Sequence, residues 1–307
     1  MDILITGING FIGKNIAKSL LKEGHRIIGI GTSKNSDFNE ISEYHSVSVL
    51  NKAVINNLVK DVDLVIHLAA ITAHNQIIEK KFETLDINLN GTKNILNAFN
   101  ASKRAKKFIY ASSGKVYGKI KKLPLTEESI TSPRNILGKS KLITEKIIDF
   151  YSNNDKTYVV FRIFQVYGPG QLKNFLIPTI ISQLNFNSNL TQTITLGDTK
   201  AQRDYIYIDD ICNAFKAVIN SNLPKGLNTF NLSSSISKSA NEIISLIENL
   251  FGLKIEVKVD KNLLRTDEES IEYGSYEKAK IQLGWEPIIS IEDGLIKIIN
   301  TIKKNIK

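Results

Sequence analysis

The feature that most constrains this chain is a glycine-rich turn close to its first residue. Residues 3–6, "ILIT", form the kind of apolar run that is typical of a buried strand. Gly7, Gly10 and Gly13 follow it with the spacing G-x-x-G-x-x-G, and apolar residues then recur at helical spacing from 12 to 20. A strand, a tight turn and a helix in direct succession predict the first unit of a parallel α/β sheet.

The same turn is suited to binding a pyrophosphate. Gly7 permits the tight turn, Gly10 lets the backbone approach a phosphate, and Gly13 allows close packing of the helix. The helix N-terminus adds unpaired N–H groups and the positive end of its dipole. We therefore predict a dinucleotide site whose contacts come from Gly7, Asn9, Gly10, Phe11, Ile12 and Gly13.

The rest of the first half alternates apolar runs with amphipathic stretches. The runs at 26–31, 63–70, 107–113 and 158–164 contain few polar residues, which is typical of strands buried on both faces. Helical patterns between these runs predict right-handed crossovers. We predict an α/β fold, a doubly wound parallel Rossmann sheet, over residues 1–165.

The second half changes character. Residues 166–307 mix short strand signals with helices, and they predict a smaller mixed α/β substrate-binding region that encloses a cleft with the first domain. Parts of 203–235 are predicted to rejoin the first domain, because "LNTFNLSS" at 227–234 has the pattern of another buried strand.

Composition limits the functional classes. The chain has 307 residues, 42 % of them hydrophobic, and no apolar run of membrane-spanning length. Its net charge of +9 comes from scattered lysines, with no aromatic platform among them, so nucleic acid is not the predicted partner. A single cysteine, Cys212, excludes an internal disulfide. We predict a cytoplasmic protein that neither enters a membrane nor carries a metal site.

The end of the second predicted strand bears on the choice of dinucleotide. An NAD site usually has an acidic residue there, which holds the ribose hydroxyls. This chain has Thr32, Ser33 and Lys34 instead, and Lys34 could meet the 2′-phosphate of NADP. NADP is therefore the predicted cofactor. NAD remains the alternative, because Asp37 lies close by and Lys34 could be an ordinary loop lysine.

Further motifs resemble a known family. They are "TGINGFIG", "DLVIHLAA", "NLNGT", "YASSGKVYG", "GKSK", "FRIFQVYGPGQ", "RDYIYIDD" and "LGWEP". Their order and spacing are similar to those of the extended short-chain dehydrogenases/reductases, the NAD-dependent epimerase/dehydratase family, from Ile3 to about Leu295. The resemblance implies a Rossmann domain with a small substrate domain, hydride exchange at carbon 4 of a nucleoside-diphosphate sugar, and a homodimer.

The resemblance also implies roles for individual residues. Ser113 matches the catalytic serine, Lys141 matches the lysine that holds the nicotinamide ribose, and Asn88 matches the asparagine beside the site. Arg203 and Arg265 match arginines that grip the diphosphate, a use that suits bidentate guanidinium groups. The remaining predicted contacts are Thr32, Ser33, Lys34, Leu68, Ala69 and Ala70 for the cofactor, with Thr72 and Asn174 for the substrate.

Two departures from the family pattern concern the chemistry. Gly114 and Lys115 stand where the family's dehydratases carry an acidic pair, so 4,6-dehydration is not the predicted reaction. Leu137 stands where the family has its tyrosine, four residues before Lys141. That tyrosine carries the proton during alcohol oxidation, and a leucine has no proton to exchange.

Three hypotheses follow from Leu137. Another group could supply the proton, with Lys115 and His74 as the first candidates and Thr72 and Tyr117 as weaker ones. The chain could instead reduce a ketone made by another enzyme, because a carbonyl held by Ser113 already attracts hydride. It could also bind nucleotides without turnover, as a sensor or scaffold, because fold alone does not establish catalysis.

Overall fold

The computed structural model describes residues 1–37, 40–72, 77, 79–118, 120–264 and 270–305. The strands in chain order are β1 (Asp2–Thr6), β2 (Arg26–Gly31), β3 (Glu43–Ser46), β4 (Leu64–His67), β5 (Lys107–Ser113), β6 (Thr157–Ile163), β7 (Gln165–Tyr167), β8 (Gln192–Leu196), β9 (Gln202–Tyr207), β10 (Gly226–Leu232), β11 (Ser237–Ser239), β12 (Ile255–Val259) and β13 (Ile271–Glu272).

The α-helices are α1 (Phe11–Leu21), α2 (Lys52–Lys60), α3 (Lys81–Leu85), α4 (Thr92–Ala101), α5 (Ile136–Tyr151), α6 (Leu176–Ser182), α7 (Ile208–Asn220), α8 (Ala240–Phe251), α9 (Glu277–Leu283) and α10 (Ile291–Asn305). A π-helical turn (Asp86–Gly91) leads into α4, and 3₁₀ turns cover Gly114–Val116 and Lys261–Leu263.

Seven parallel strands form the main sheet, in the order β10-β6-β5-β4-β1-β2-β3. The chain starts in the middle and winds outward first in one direction and then in the other. The strand order therefore reverses between β1 and β4, and a doubly wound sheet binds its ligand at that point, beyond the carboxyl ends of the strands. The predicted Rossmann fold class is confirmed.

Core packing explains why the strand sequences lack polar alternation. Ile3 and Ile5 of β1 belong to a hydrophobic cluster on one face of the sheet, whereas Leu4 belongs to the cluster on the other face. All three side chains are fully buried. Helices α1 and α7 lie beside each other, as do α2 and α4. Both faces of the sheet therefore need apolar residues.

The smaller sheets are built by the second half of the chain. Strand β9 pairs antiparallel with β11 and parallel with β7 and β13. Strands β8 and β12 form a separate parallel pair. Strand β10 does not join them, since it pairs with β6 at the edge of the main sheet. The chain therefore crosses between the two regions more than once.

No helix among the described residues is long and apolar enough to cross a membrane. The described residues also hold no group of three or more His, Cys, Asp or Glu side chains that could bind a metal ion. Cys212 is buried as a free thiol, and burial raises its pKa to about 12.

Candidate active site

The glycine turn lies at the carboxyl end of β1, at the point where the strand order reverses. Gly7 has a φ of +70°, and a Cβ there would lie 2.7 Å from the Ala69 backbone nitrogen. A Cβ on Gly13 would lie 2.4 Å from the Gly7 carbonyl oxygen. These two positions accept only glycine, because the turn is pressed against the end of β4 and against its own helix.

The turn fits a dinucleotide pyrophosphate. Gly10 caps α1 in an extended conformation, and no side chain hydrogen-bonds to the helix at this cap. The first N–H groups of α1 are thus open to an anion, and the positive end of the helix dipole points the same way. Phe11 and Ile12, which were predicted to contact the cofactor, form the first turn of this helix.

Asn9 links the glycine turn to the loop that follows β2. Its side-chain nitrogen donates to the Asn35 carbonyl at 3.1 Å, and its side-chain oxygen accepts from the Asp37 backbone nitrogen at 3.2 Å. The Asp37 carboxylate forms an ion pair with Lys14. Lys34 is exposed in the same loop. The loop after β2 thus exposes the Lys34 ammonium to solvent, whereas the Asp37 carboxylate in the same loop is already paired with Lys14.

Buried hydrogen bonds fix the end of β4. The Thr6 hydroxyl accepts from the backbone nitrogens of Leu68 (3.2 Å) and Ala69 (3.1 Å). It lies 2.7 Å from Nδ1 of His67, whose Nε2 lies 2.8 Å from the Thr92 hydroxyl. Burial lowers the pKa of His67 to about 3, so its ring is neutral. This histidine orders the segment that was predicted to contact the cofactor.

Asn88 is buried in the π-helical turn and anchors the chain just beyond that segment. Its side-chain oxygen accepts from the Ile71 backbone nitrogen at 2.8 Å, and its side-chain nitrogen donates to the Ile71 carbonyl at 3.1 Å. The Asn88 carbonyl accepts from the Thr92 hydroxyl at 2.7 Å. Both functions of the amide are therefore used to position the backbone that follows β4.

Lys141 projects from α5 toward β5 and is almost fully buried. Its ammonium donates to the Ala111 carbonyl at 2.6 Å and lies 4.6 Å from the centre of the Tyr110 ring. Burial lowers the pKa of Lys141 to about 8, and the Glu145 carboxylate one helical turn on opposes that shift. The side chain therefore remains mostly charged at neutral pH.

Glu145 is itself held in place by side chains of β5 and β6. The Ser112 hydroxyl donates to it at 2.5 Å, and the Arg162 guanidinium donates at 2.8 Å. Arg162 also donates to the Tyr117 hydroxyl at 3.2 Å. Lys141 thus lies beside a buried network of hydrogen-bonded polar side chains.

Ser113 ends β5 and lines a small open cleft. Its hydroxyl accepts from the Lys115 backbone nitrogen at 3.2 Å. Across the cleft, the Lys115 ammonium lies 2.9 Å from the Glu272 carboxylate. The cleft is lined by Ser113, Gly114, Lys115, Ile163, Phe164, Gln165, Arg203, Asp204 and Glu272.

Leu137 lies in the first turn of α5, and this turn packs beside Ser113. Asn135 caps the helix by accepting from the Gly138 backbone nitrogen at 2.8 Å. A Cβ on Gly138 would lie 2.4 Å from the Lys115 carbonyl oxygen, so the helix touches the turn that follows Ser113. Leu137 is half-buried. Position 137 thus lies in the helix turn where the family resemblance places the tyrosine, but its side chain is apolar.

The other predicted residues are placed differently. Arg203 lines the cleft, and its guanidinium donates to the Gln202 carbonyl at 2.8 Å. Thr72 and Asn174 are exposed and do not line this cleft. His74 and Arg265 lie outside the described residues.

Tyr117, one of the weaker candidates for proton transfer, is buried behind the cleft. Its hydroxyl donates to the Asn231 side chain at 2.5 Å, and burial raises its pKa to about 12. A phenol in this setting does not exchange a proton with a substrate in the cleft.

Sequence reasoning missed Asp204 and Glu272 as cleft residues. Asp204 is buried and accepts from the Ser234 hydroxyl and backbone nitrogen, each at 2.7 Å, and from the Gly274 backbone nitrogen at 3.2 Å. Burial raises its pKa to about 6. Its position in "RDYIYIDD" was a signal for it. Glu272 gave none, because its partner Lys115 is 157 residues away.

Comparison with known proteins agrees with this fold. The sequence model of the family described as GDP-mannose 4,6 dehydratase matches residues 4–298. The chain therefore belongs to the NAD-dependent epimerase/dehydratase family of extended short-chain dehydrogenases/reductases. This confirms the family predicted from the motifs.

Individual relatives span the whole chain. GDP-6-deoxy-D-mannose reductase of Pseudomonas aeruginosa is 27 % identical over 99 % of this chain and 98 % of its own length. A putative UDP-glucose 4-epimerase of Methanocaldococcus jannaschii is 29 % identical over 99 % of both chains. Among solved structures, a mutant UDP-glucuronic acid 4-epimerase from Bacillus cereus is 27 % identical, with a TM-score of 0.87 over 99 % of this chain and 100 % of that one. It is in complex with UDP-4-deoxy-4-fluoro-glucuronic acid and NAD.

Proposed function

We propose that the protein is a nucleotide-sugar 4-ketoreductase that uses a bound nicotinamide dinucleotide. The observation that carries the proposal is Leu137, which replaces the proton-carrying tyrosine in a site that otherwise keeps Ser113, Lys141 and the glycine turn. The similarity to a reductase and to an enzyme in complex with NAD supports the same class.

Net ketone reduction and epimerisation place different demands on the position of Leu137. Oxidation of an unactivated alcohol requires removal of its proton, and a positioned base typically contributes about 100- to 10,000-fold to such a step. Reduction of a ketone starts from a polarised carbonyl and needs only a hydrogen-bond donor and a proton source. Loss of the tyrosine at Leu137 slows both directions of one hydride transfer, but a net reductase, unlike an epimerase, does not have to oxidise an alcohol in its cycle.

The chain's own residues divide the work as follows. The Ser113 hydroxyl donates to the carbonyl oxygen of the sugar, and the Lys141 ammonium holds the ribose of the cofactor next to β5. Arg203 contacts the diphosphate from the opposite wall of the cleft, and Arg265 remains a predicted partner in that contact. When bound, the reduced nicotinamide supplies the hydride.

Epimerisation is the second candidate. The Lys115 ammonium, which faces Glu272 in the same cleft as Ser113, is a titratable group that could replace the tyrosine. Dehydration has no comparable support, because Gly114 and Lys115 occupy the positions of the acidic pair.

A panel of nucleotide sugars tests the proposal. The protein is incubated with UDP-, dTDP-, GDP- and CDP-linked 4-keto sugars and NADPH or NADH, and with the corresponding 4-hydroxy sugars and the oxidised cofactors. We expect nicotinamide absorbance to fall with at least one keto sugar. Interconversion of 4-hydroxy sugars without net oxidation would favour the epimerase. Unchanged sugars and constant absorbance throughout would overturn the enzyme proposal in favour of the silent binder.

Cofactor preference depends on Lys34. We propose that the wild-type protein binds NADPH more tightly than NADH, because the exposed ammonium can pair with the 2′-phosphate. Lys34→Ala should weaken NADPH binding by roughly fivefold, the effect of one exposed charge-assisted contact, and leave NADH binding unchanged. Fluorescence titration measures both affinities. Lys22→Ala, at the far end of α1, is the matched control, and tighter NADH binding by the wild type would reverse the assignment.

A homodimer is also proposed, with α5 as its contact surface. Phe150 and Ile143 on this helix are 86 % and 46 % exposed, and Phe82 on α3 is 90 % exposed. Aromatic residues are enriched at protein interfaces relative to the rest of the surface. Light scattering should give about twice the chain mass of 34.3 kDa. Phe150→Glu should shift the mass to one chain, whereas Leu190→Glu, a comparably exposed site in the second region, should not. A wild-type monomer would refute the dimer.

A further inference from the structure

We propose that Lys115 is the proton donor of the reduction and that Glu272 positions it. The pair would thereby do the work of the tyrosine that Leu137 replaces. This inference rests on the proposed ketoreductase function.

The backbone of Lys115 hydrogen-bonds to the side chain of Ser113. The 3₁₀ turn Gly114–Val116 follows Ser113 directly, and the Lys115 backbone nitrogen donates to the Ser113 hydroxyl at 3.2 Å. The serine hydroxyl is therefore oriented by the same residue whose ammonium lines the cleft. A substrate oxygen that accepts from Ser113 lies beside this turn.

Glu272 is held by the second region of the chain. Strand β13 pairs with β9, where Glu272 stands opposite Arg203. The backbone just beyond it is fixed on both sides, since Leu125 donates to the Tyr273 carbonyl at 3.0 Å and Gly274 donates to Asp204 at 3.2 Å. The carboxylate therefore has little freedom, and it holds the Lys115 ammonium at 2.9 Å.

The Lys115–Glu272 ion pair is largely buried but still partly exposed to solvent. The side chain of Lys115 is 20 % exposed and that of Glu272 is 12 % exposed. Both line the same cleft as Ser113. The Lys141 ammonium, by contrast, is almost fully buried and bonded to the Ala111 carbonyl.

The chemistry of the cleft selects Lys115 as the donor. A lysine ammonium carries three N–H donors at neutral pH, and the contact with Glu272 at 2.9 Å holds that of Lys115 in the cleft. The Arg203 guanidinium in the same cleft does not give up a proton under these conditions. A protonated amine is the form that donates a proton, which is what the oxygen of a reduced ketone requires.

The step balances as follows. The incoming hydride brings the electron pair of the new C–H bond, and the π pair of the carbonyl moves to oxygen. That oxygen takes a proton as an N–H bond of Lys115 breaks and an O–H bond forms. The lysine is left as a neutral amine and regains its proton from water. Glu272 exchanges no proton in this step and acts only through Lys115.

The alternative is that the ion pair merely joins β13 to the turn after β5. Lys115→Arg separates the two roles, because arginine keeps the charge and can keep the contact with Glu272 but does not release a proton. We expect Lys115→Arg to keep the wild-type unfolding temperature and nucleotide affinity while kcat for the keto sugar falls by about 100-fold or more. A structural role predicts that Lys115→Arg retains activity.

Two further variants test the parts of the pair. In Lys115→Ala, added ethylamine should restore at least tenfold of the lost rate, because a free amine can occupy the space left by the side chain. Glu272→Gln should lower kcat by roughly tenfold with little change in KM, and should add nothing in the Lys115→Ala background, since the two residues act as a unit. Glu286→Gln, which breaks the exposed Lys280–Glu286 pair (2.6 Å), is the matched control.

The outcomes distinguish the two proposals. If the wild type reduces no keto sugar, the ketoreductase function fails and the role of Lys115 fails with it. If the wild type turns over while Lys115→Arg stays within threefold of it, only the proton-donor assignment is overturned. Failure of ethylamine to raise the rate of Lys115→Ala likewise counts against that assignment.

Discussion

Replacing Ser113 with alanine is expected to lower kcat for a keto sugar by about 100- to 1,000-fold, the usual cost of removing one donor to a developing oxyanion. The hydroxyl ends β5, faces the cleft, and is oriented by the Lys115 backbone nitrogen at 3.2 Å. Negative charge grows on the carbonyl oxygen as hydride arrives, so the donor contributes most in the transition state. Stopped-flow reduction at saturating substrate measures the loss.

Three controls keep this result interpretable. Ser113→Thr retains a hydroxyl and should retain most of the rate. Nucleoside-diphosphate affinity should stay close to that of wild type in Ser113→Ala, because the serine is assigned to the sugar. The alanine variant also leaves the Lys115 backbone nitrogen without its acceptor, which costs about 1–3 kcal/mol of stability, so thermal unfolding should be recorded as well. A rate within threefold of wild type would remove Ser113 from the mechanism.

Replacing Leu137 with tyrosine is expected to raise the rate of alcohol oxidation by about 100- to 10,000-fold over the wild type. The position lies in the first turn of α5, four residues before Lys141, and that turn packs against the residues after Ser113. A phenol placed there would lie near the Lys141 ammonium, and a nearby positive charge favours the phenolate that accepts a proton. Loss of a 4-hydroxy sugar in the presence of oxidised cofactor measures the gain.

Leu137→Phe is the matched variant, because it adds the same ring without the hydroxyl. Oxidation that appears with tyrosine but not with phenylalanine would show that the site lacks only a proton acceptor. Equal behaviour of the two variants would mean that the surrounding residues no longer support the ordinary family chemistry.

Local sequence patterns were sufficient for much of the fold and part of the site. The unbroken apolar runs predicted a sheet buried on both faces, and the opposite placement of Leu4 and its neighbours Ile3 and Ile5 is the reason. Ser113 and Lys141 lie within short motifs whose spacing reflects one strand end and one helix. Signals of this kind depend on residues close in the sequence.

Contacts between distant segments left no such signal. The pairing of Lys115 with Glu272 depends on how β13 docks against β9, and that docking brings together residues 157 positions apart. The Tyr117 hydroxyl is similarly bonded to Asn231, a residue of β10 that lies 114 positions further along the chain. A sequence shows that such side chains are polar, but only the packed structure shows what they face.

The place of β10 has a consequence for how this protein could be divided. Strand β10 follows much of the second region in the sequence, yet it pairs with the edge of β6, where Phe161 is fully buried. A fragment ending at 165 would leave that edge unpaired, and bare strand edges promote aggregation. The nucleotide-binding half should therefore fail as an autonomous fragment. Recombination between relatives could exchange the two regions only by moving several separate stretches of the gene together.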